Sequence, residues 1–166
     1  MSKVMANLVI GSNGMSTLAG SSRGLSSPAD RSRFHLLRQK AEVILIGGST
    51  YRSEPYSKCP LPLYISTRGV QNEVGKSKFL NLSPAELIEK AREDGFKKLL
   101  VEGGVHFLSE LIKDALLDEF FLTRSSKLGD DNFFSETELK LKYKVVSESN
   151  DGGECFQTWE RINQRR

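Results

Sequence analysis

The chain has 166 residues, 38% of them hydrophobic and 27% charged, with a formal net charge of +3. That is the profile of one ordinary globular domain over residues 1–166, long enough to bury a proper core. The basic residues are dispersed, apart from Arg161, Arg165 and Arg166 near the end and the ladder Lys140, Lys142 and Lys144, so a nucleic-acid partner is not expected.

Residues 4–10 are apolar on both faces and predict a central strand. Gly11-Ser-Asn-Gly14 breaks it. The Gly/Ser-rich stretch that follows, to Ser27, reads as either a connector or a ligand-contacting loop. Ser27-Pro28 then opens a helix to about Lys40, with serine as N-cap, proline at the first helical position, and Phe34, Leu37 and Ala41 near one face. Residues 42–46 and 61–66 predict strands, 69–78 a polar loop, and 79–82 another short strand. Ser83-Pro84 with Glu86 starts a second helix on the stripe Leu87, Ile88 and Ala91, which Gly95 ends. A strand at 98–101 leads into a helix from about Gly104 to Leu116, striped by Phe107, Leu108, Leu111, Ile112 and Ala115.

Residues 119–123 predict one more strand, and 127–136 a polar excursion. Leu139, Leu141, Tyr143 and Val145 alternate with the three lysines, which predicts a half-buried antiparallel strand over 139–145. Asn150-Asp-Gly-Gly153 is a hairpin turn into a closing strand over 154–162. No apolar run reaches the length of a membrane span, and the first residues lack the apolar core of a signal peptide. Cys59 and Cys155 have no metal-ligand spacing. The expectation is a cytoplasmic protein with reduced thiols and no metal.

Alternating βα units imply an α/β fold: a mostly parallel central sheet flanked by helices, with a C-terminal antiparallel hairpin. Such sheets bind ligands beyond the carboxyl ends of their strands. Two of those ends carry paired glycines, Gly47-Gly48-Ser49-Thr50 after the second strand and Glu102-Gly103-Gly104 after 98–101. Glycines there let the backbone approach a ligand, and the helix that follows offers unpaired N–H groups to a phosphate. A phosphate-bearing cofactor or substrate is the expected ligand. Neither G-x-G-x-x-G nor a Walker lysine motif is present.

Four segments carry a resemblance to a known family. They are residues 26–38, ending in Leu37-Arg38; 42–50 with Glu54-Pro55; Leu100-Val-Glu-Gly-Gly104; and Leu116-Leu-Asp-Glu-Phe-Phe-Leu122 with Leu128-Gly129. Together they resemble the pyrimidine reductase of riboflavin biosynthesis, which occurs alone or as the C-terminal half of a bifunctional deaminase–reductase, within the dihydrofolate-reductase-like superfamily. The resemblance implies an NADPH-dependent oxidoreductase, a homodimer, that reduces the ribosylamino group of a pyrimidine 5′-phosphate. It implies cofactor contacts from Gly47, Gly48, Ser49, Thr50, Gly103 and Gly104, with Ser66, Thr67 and Arg68 at the 2′-phosphate. Glu102 would face the substrate as the catalytic carboxyl, with Asn13, Arg23, Arg38 and Glu54 on the substrate side. Here Asn13 stands where the family has an aspartate and Gly24 where it often has tryptophan, and the segment after Pro55 is short, leaving Lys58, Arg23, Arg31 or Arg38 to hold a phosphate.

Two other readings stay open at this level: a reductase of another heterocycle such as a pterin, and a non-catalytic nucleotide-binding module of the same fold. His35 and His106 read as structural, and Trp159 as core or interface.

Overall fold

In a computed structural model, which describes residues 1–69 and 71–163, the chain builds one nine-stranded sheet and a two-stranded one. Arg165 and Arg166 lie outside the described residues. The strands are β1 (Lys3–Ile10), β2 (Met15–Thr17), β3 (Val43–Gly47), β4 (Leu63–Ser66), β5 (Asn72–Val74), β6 (Ser77–Leu80), β7 (Lys98–Gly103), β8 (Glu119–Arg124), β9 (Asp131–Phe133), β10 (Tyr143–Asp151) and β11 (Glu154–Arg161). The helices are α1 (Pro28–Gln39), α2 (Gly48–Ser53), α3 (Pro84–Glu93), α4 (Val105–Lys113) and α5 (Thr137–Lys142).

The large sheet runs β10-β11-β8-β1-β7-β3-β4-β6-β5. Its six central strands, β8 to β6, pair in parallel, and the antiparallel partners β11, β10 and β5 lie at the two edges. Strand alternation sends Val4, Ala6, Val43, Leu45, Leu99, Val101, Phe120 and Leu122 into the larger core beneath α3, α4 and α5. Met5 and Leu100 point the other way, onto Leu37 of α1. A fully buried Leu or Ile contributes on the order of 1.5–3 kcal/mol, so burial on both faces stabilises β1 and β7 in the middle of the sheet. It also determines the site, because residues that continue the Met5 and Leu100 rows lie on the α1 face.

The helix starts follow from their caps. The Ser27 side chain accepts from Asp30 N, and Ser83 with Glu86 forms a reciprocal capping box, each serine followed by proline in the first turn.

Several expectations are corrected. The strand expected over 139–145 is helical up to Lys142, and pairing with β11 begins only at Tyr143. Leu139 and Tyr143 are the buried members of that run and are four apart, so a helical turn places both inward while Leu141 is left outside, 67% exposed. The polar stretch 69–78 holds β5 and the first half of β6, whose second half falls in the strand expected at 79–82, and the excursion 127–136 contains β9, which pairs antiparallel with β2. These short strands carry no apolar alternation that a sequence reading could find. The helix expected to Leu116 ends at Lys113, because Ala115 adopts φ +53°, outside helical space.

Candidate functional site

The carboxyl ends of β1, β3, β4 and β7 reach one edge of the sheet, and a cleft of about 570 Å³ opens there between that edge and α1. Ligand sites of 300–1,000 Å³ are typical for small molecules and cofactors.

One wall is main chain. β3 and β7 are neighbours, with Ile46 opposite Gly103, so the two glycine-bearing ends lie side by side. A Cβ on Gly104 would stand 2.9 Å from Thr50 Oγ1, and one on Gly48 3.1 Å from both the Ser66 carbonyl and Arg52 Nη1. Gly103 has φ +115°, a conformation that side chains resist. Gly104 is the N-cap of α4 and supplies no side-chain cap, and no acid occupies the first turn. The first N–H groups of α4 therefore have no partner within the helix and lie at the cleft, with the positive end of its dipole.

The opposite wall is side chain. Glu102, its side chain only 1% exposed, receives Arg38 in a two-pronged pair, Nε to Oε1 at 2.7 Å and Nη2 to Oε2 at 2.8 Å. The buried Tyr56 hydroxyl donates to the same Oε2 at 3.0 Å. The guanidinium lies 4.3 Å above the Phe34 ring and 5.4 Å from that of Tyr56. Burial pulls the Arg38 pKa down, but the hydrogen bonds and charge of Glu102 outweigh it and leave it raised. Burial also pushes the Tyr56 hydroxyl far above the usual tyrosine range, with the Glu102 charge adding to the effect. The result is a carboxyl group held in one orientation by one fork and one phenol.

The remaining sequence-derived residues fall into three groups. Gly47, Gly48, Ser49, Thr50, Gly103, Gly104, Arg23, Arg38, Glu54 and Glu102 all line the cleft. Glu54 is already engaged: its oxygens accept from Ser22 N at 2.7 Å and Ser21 Oγ at 3.1 Å, which fastens the loop carrying the exposed Arg23. Ser66, Thr67 and Arg68 do not line the cleft; Ser66 and Thr67 sit beside Gly48. The Ser66 hydroxyl donates to the Leu82 carbonyl at 2.6 Å, that of Thr67 accepts from Gly69 N at 3.1 Å, and Arg68 is exposed. Asn13 also lies off the cleft, its amide tied to Gly129 in both directions and to Met15 N.

Residues that the sequence reading did not single out complete the site. Tyr56 binds the central carboxylate 46 positions away along the chain. Arg33 stacks between Phe121 and Phe156, and its buried Nη1 has no partner. Asn7 and Thr123 line the floor, while His35 and His106, expected to be structural, stand exposed at the cleft. Only Asn7 left a signal, as a lone amide in an apolar strand.

The arrangement of a parallel β8-β1-β7-β3-β4 centre, an antiparallel C-terminal hairpin and a cleft at the carboxyl edge is the dihydrofolate-reductase-like α/β fold. Among solved structures with this fold is a diaminohydroxyphosphoribosylaminopyrimidine deaminase/5-amino-6-(5-phosphoribosylamino)uracil reductase of Thermotoga maritima. It matches at TM-score 0.78 and 18% identity over 97% of this chain, which spans 57% of that one. A protein assigned to riboflavin biosynthesis from Shewanella sp. PV-4 matches at TM-score 0.78 and 17% identity, over 97% of this chain and 99% of the other. No protein-family model matches the sequence, and no curated protein matches it.

Proposed function

We propose that the chain is an NADPH-dependent reductase that converts the ribosylamino group of a pyrimidine 5′-phosphate to a ribitylamino group, a step of riboflavin biosynthesis. The observation that carries this reading is the pair of adjacent glycine ends at the N-terminus of α4, facing the Arg38–Glu102–Tyr56 node across one cleft. The donor set fits a dinucleotide. Close approach is open at Gly48 and Gly104, where a Cβ would press on the Ser66 carbonyl or the Thr50 hydroxyl, and unpaired amides face the place a diphosphate would take. Gly47, Gly48, Ser49 and Thr50 would hold one side of the cofactor, and Gly103 and Gly104 the diphosphate. Ser66, Thr67 and Arg68, with Arg52 nearby, would meet the 2′-phosphate.

When bound, NADPH supplies the hydride, and the chain's own residues supply alignment. Glu102 would accept hydrogen bonds from the substrate's N–H or O–H groups and so orient the reacting carbon. Arg38 and Tyr56 fix that carboxylate in one orientation. Arg23, Arg31 and Lys58 line the outer cleft and give a substrate phosphate its cations. Asn13 shapes the loop beneath. The assembly we propose is a homodimer through the outer edge β10, where Val145 and Val146 are exposed, in the cytoplasm.

The test is NADPH oxidation by purified protein with 5-amino-6-(5-phosphoribosylamino)uracil, with dihydrofolate as the control. Turnover of the first and not the second supports the reading. Turnover of dihydrofolate alone moves the chain to the pterin class, and turnover of neither removes the reductase assignment.

A further inference from the structure

Beyond its first residue, Lys3, β1 is an apolar strand with one exception. Between Met5, which is buried on Leu37 and Leu100, and Val9, which is also buried, sits Asn7. Asn7 pairs with Phe121 of β8 through the backbone ladder, yet among the described residues its side-chain amide neither donates to nor accepts from any protein group. Asparagine is depleted in strands, and a central strand gains more from a β-branched residue. By strand alternation Asn7 shares the α1 face with Glu102, one step beyond the Met5–Leu100 pair, so the amide lies on the floor of the cleft beside the fixed carboxylate. Thr123, on the same face of β8 two residues on from Phe121, also lines the floor, and its hydroxyl has no partner among the described residues. Of the neighbouring polar groups, Arg38 and Tyr56 are spent on Glu102, Glu54 on Ser21 and Ser22, and Asp30 on Ser26, while Arg33 keeps one guanidinium nitrogen, Nη1, without a partner among the described residues.

We propose that Asn7 is the residue that selects the substrate's ring edge. Both Glu102 oxygens already accept hydrogen bonds, from Arg38 and Tyr56, so the carboxyl meets a ligand as an acceptor. The Asn7 amide offers one acceptor and two donors at a fixed place on a rigid strand. Together they match a planar ring that presents an N–H donor and a carbonyl acceptor side by side, a lactam edge, and they leave an aliphatic ligand with both groups unpaired. An uncommitted amide retained against strand propensity is the local inconsistency expected of a binding position. This inference rests on the reductase reading of the same cleft and specifies which ligand edge the floor accepts.

The test is Asn7→Val, which keeps strand propensity and removes both hydrogen-bonding functions. With the ribosylamino-pyrimidine phosphate, KM should rise about 10–100-fold while the Kd of NADPH stays within twofold of wild type. Without ligand, the melting temperature should hold or rise by about 2–4 °C, since no internal hydrogen bond is lost. An unchanged KM, or a fall in melting temperature that shows the amide supports the fold, overturns the assignment and leaves the reductase reading standing. Should wild-type protein leave NADPH unoxidised, that reading fails, and titration with 5,6-diaminouracil then decides on Asn7. A binding signal in wild type that Asn7→Val lacks supports the assignment; equal signals, or none in either, overturn it.

Discussion

The two walls of the cleft are built by different means. The β3–β7 wall is main chain: Gly47, Gly48, Gly103 and Gly104 bring backbone to the surface, and the chemistry on offer is that of N–H groups. The α1 wall is side chain: Arg38, Glu102 and Tyr56 come from three elements and satisfy one another before any ligand arrives. A main-chain wall tolerates sequence change except at the glycines whose conformation or close contacts exclude a side chain. A side-chain wall depends on every partner, because losing one strands another. The first suits a cofactor recognised by its phosphates, the second a substrate recognised by its edge.

The largest expected effect lies on the side-chain wall. Arg38→Leu leaves the Glu102 carboxylate buried without its fork, which should cost about 3–5 kcal/mol and lower the melting temperature by roughly 6–15 °C. The double variant Arg38→Leu/Glu102→Leu should recover at least half of that loss, since the stranded charge is gone. Additive losses in a thermal-denaturation cycle would show that the pair is not coupled as the geometry implies.

On the main-chain wall the contrast is between two glycines. Gly103→Ala forces a side chain to φ +115° and should cost about 1–3 kcal/mol, together with at least tenfold in NADPH affinity. Gly47→Ala meets no atom nearer than 3.8 Å and should fold with wild-type stability. Equal stability for the two in urea denaturation would break the argument that Gly103 is constrained and Gly47 is not. A smaller change is expected of Arg68→Ala, which should weaken NADPH by about tenfold or less and leave NADH unaltered when both are titrated.

The smallest effect separates the walls by pH. Burial raises the Tyr56 hydroxyl well above its ordinary value and pushes that of Tyr143 up to about 12. A phenol whose folded pKa is raised favours the fold while the unfolded phenol is still protonated. That contribution is complete below about pH 10 and is lost as pH climbs from there through the raised folded value. Urea midpoints should therefore be level from pH 8 to 9.5 and fall above pH 10. Tyr56→Phe should soften the fall, whereas Gly47→Ala should leave it unchanged.

Legibility followed the same division. The glycine wall could be read because its residues are contiguous: Gly47-Gly48 and Gly103-Gly104 each follow an apolar strand, and local pattern is what a sequence displays. The α1 wall was legible only in part. Arg38 and Glu102 were both marked, but the ion pair joining them spans 64 positions and has no local signature. Tyr56 reads as one more aromatic after a proline until Glu102 is placed beside it. In the fold, long periodic elements such as α3, α4 and β1 were plain, while β2, β5 and β9 are three-residue strands held by partners rather than by pattern. The lysine alternation after Leu139 misled because spacings of two and of four share Leu139 and Tyr143.

The central claim is that two neighbouring glycine ends grip a dinucleotide's diphosphate. Isothermal titration of the purified protein with NADPH tests it most directly. The account predicts saturable binding at one site per chain, with a Kd in the micromolar range and a loss of at least a hundredfold in Gly104→Val. Absence of saturation with either NADPH or NADH, or wild-type affinity in Gly104→Val, would contradict it.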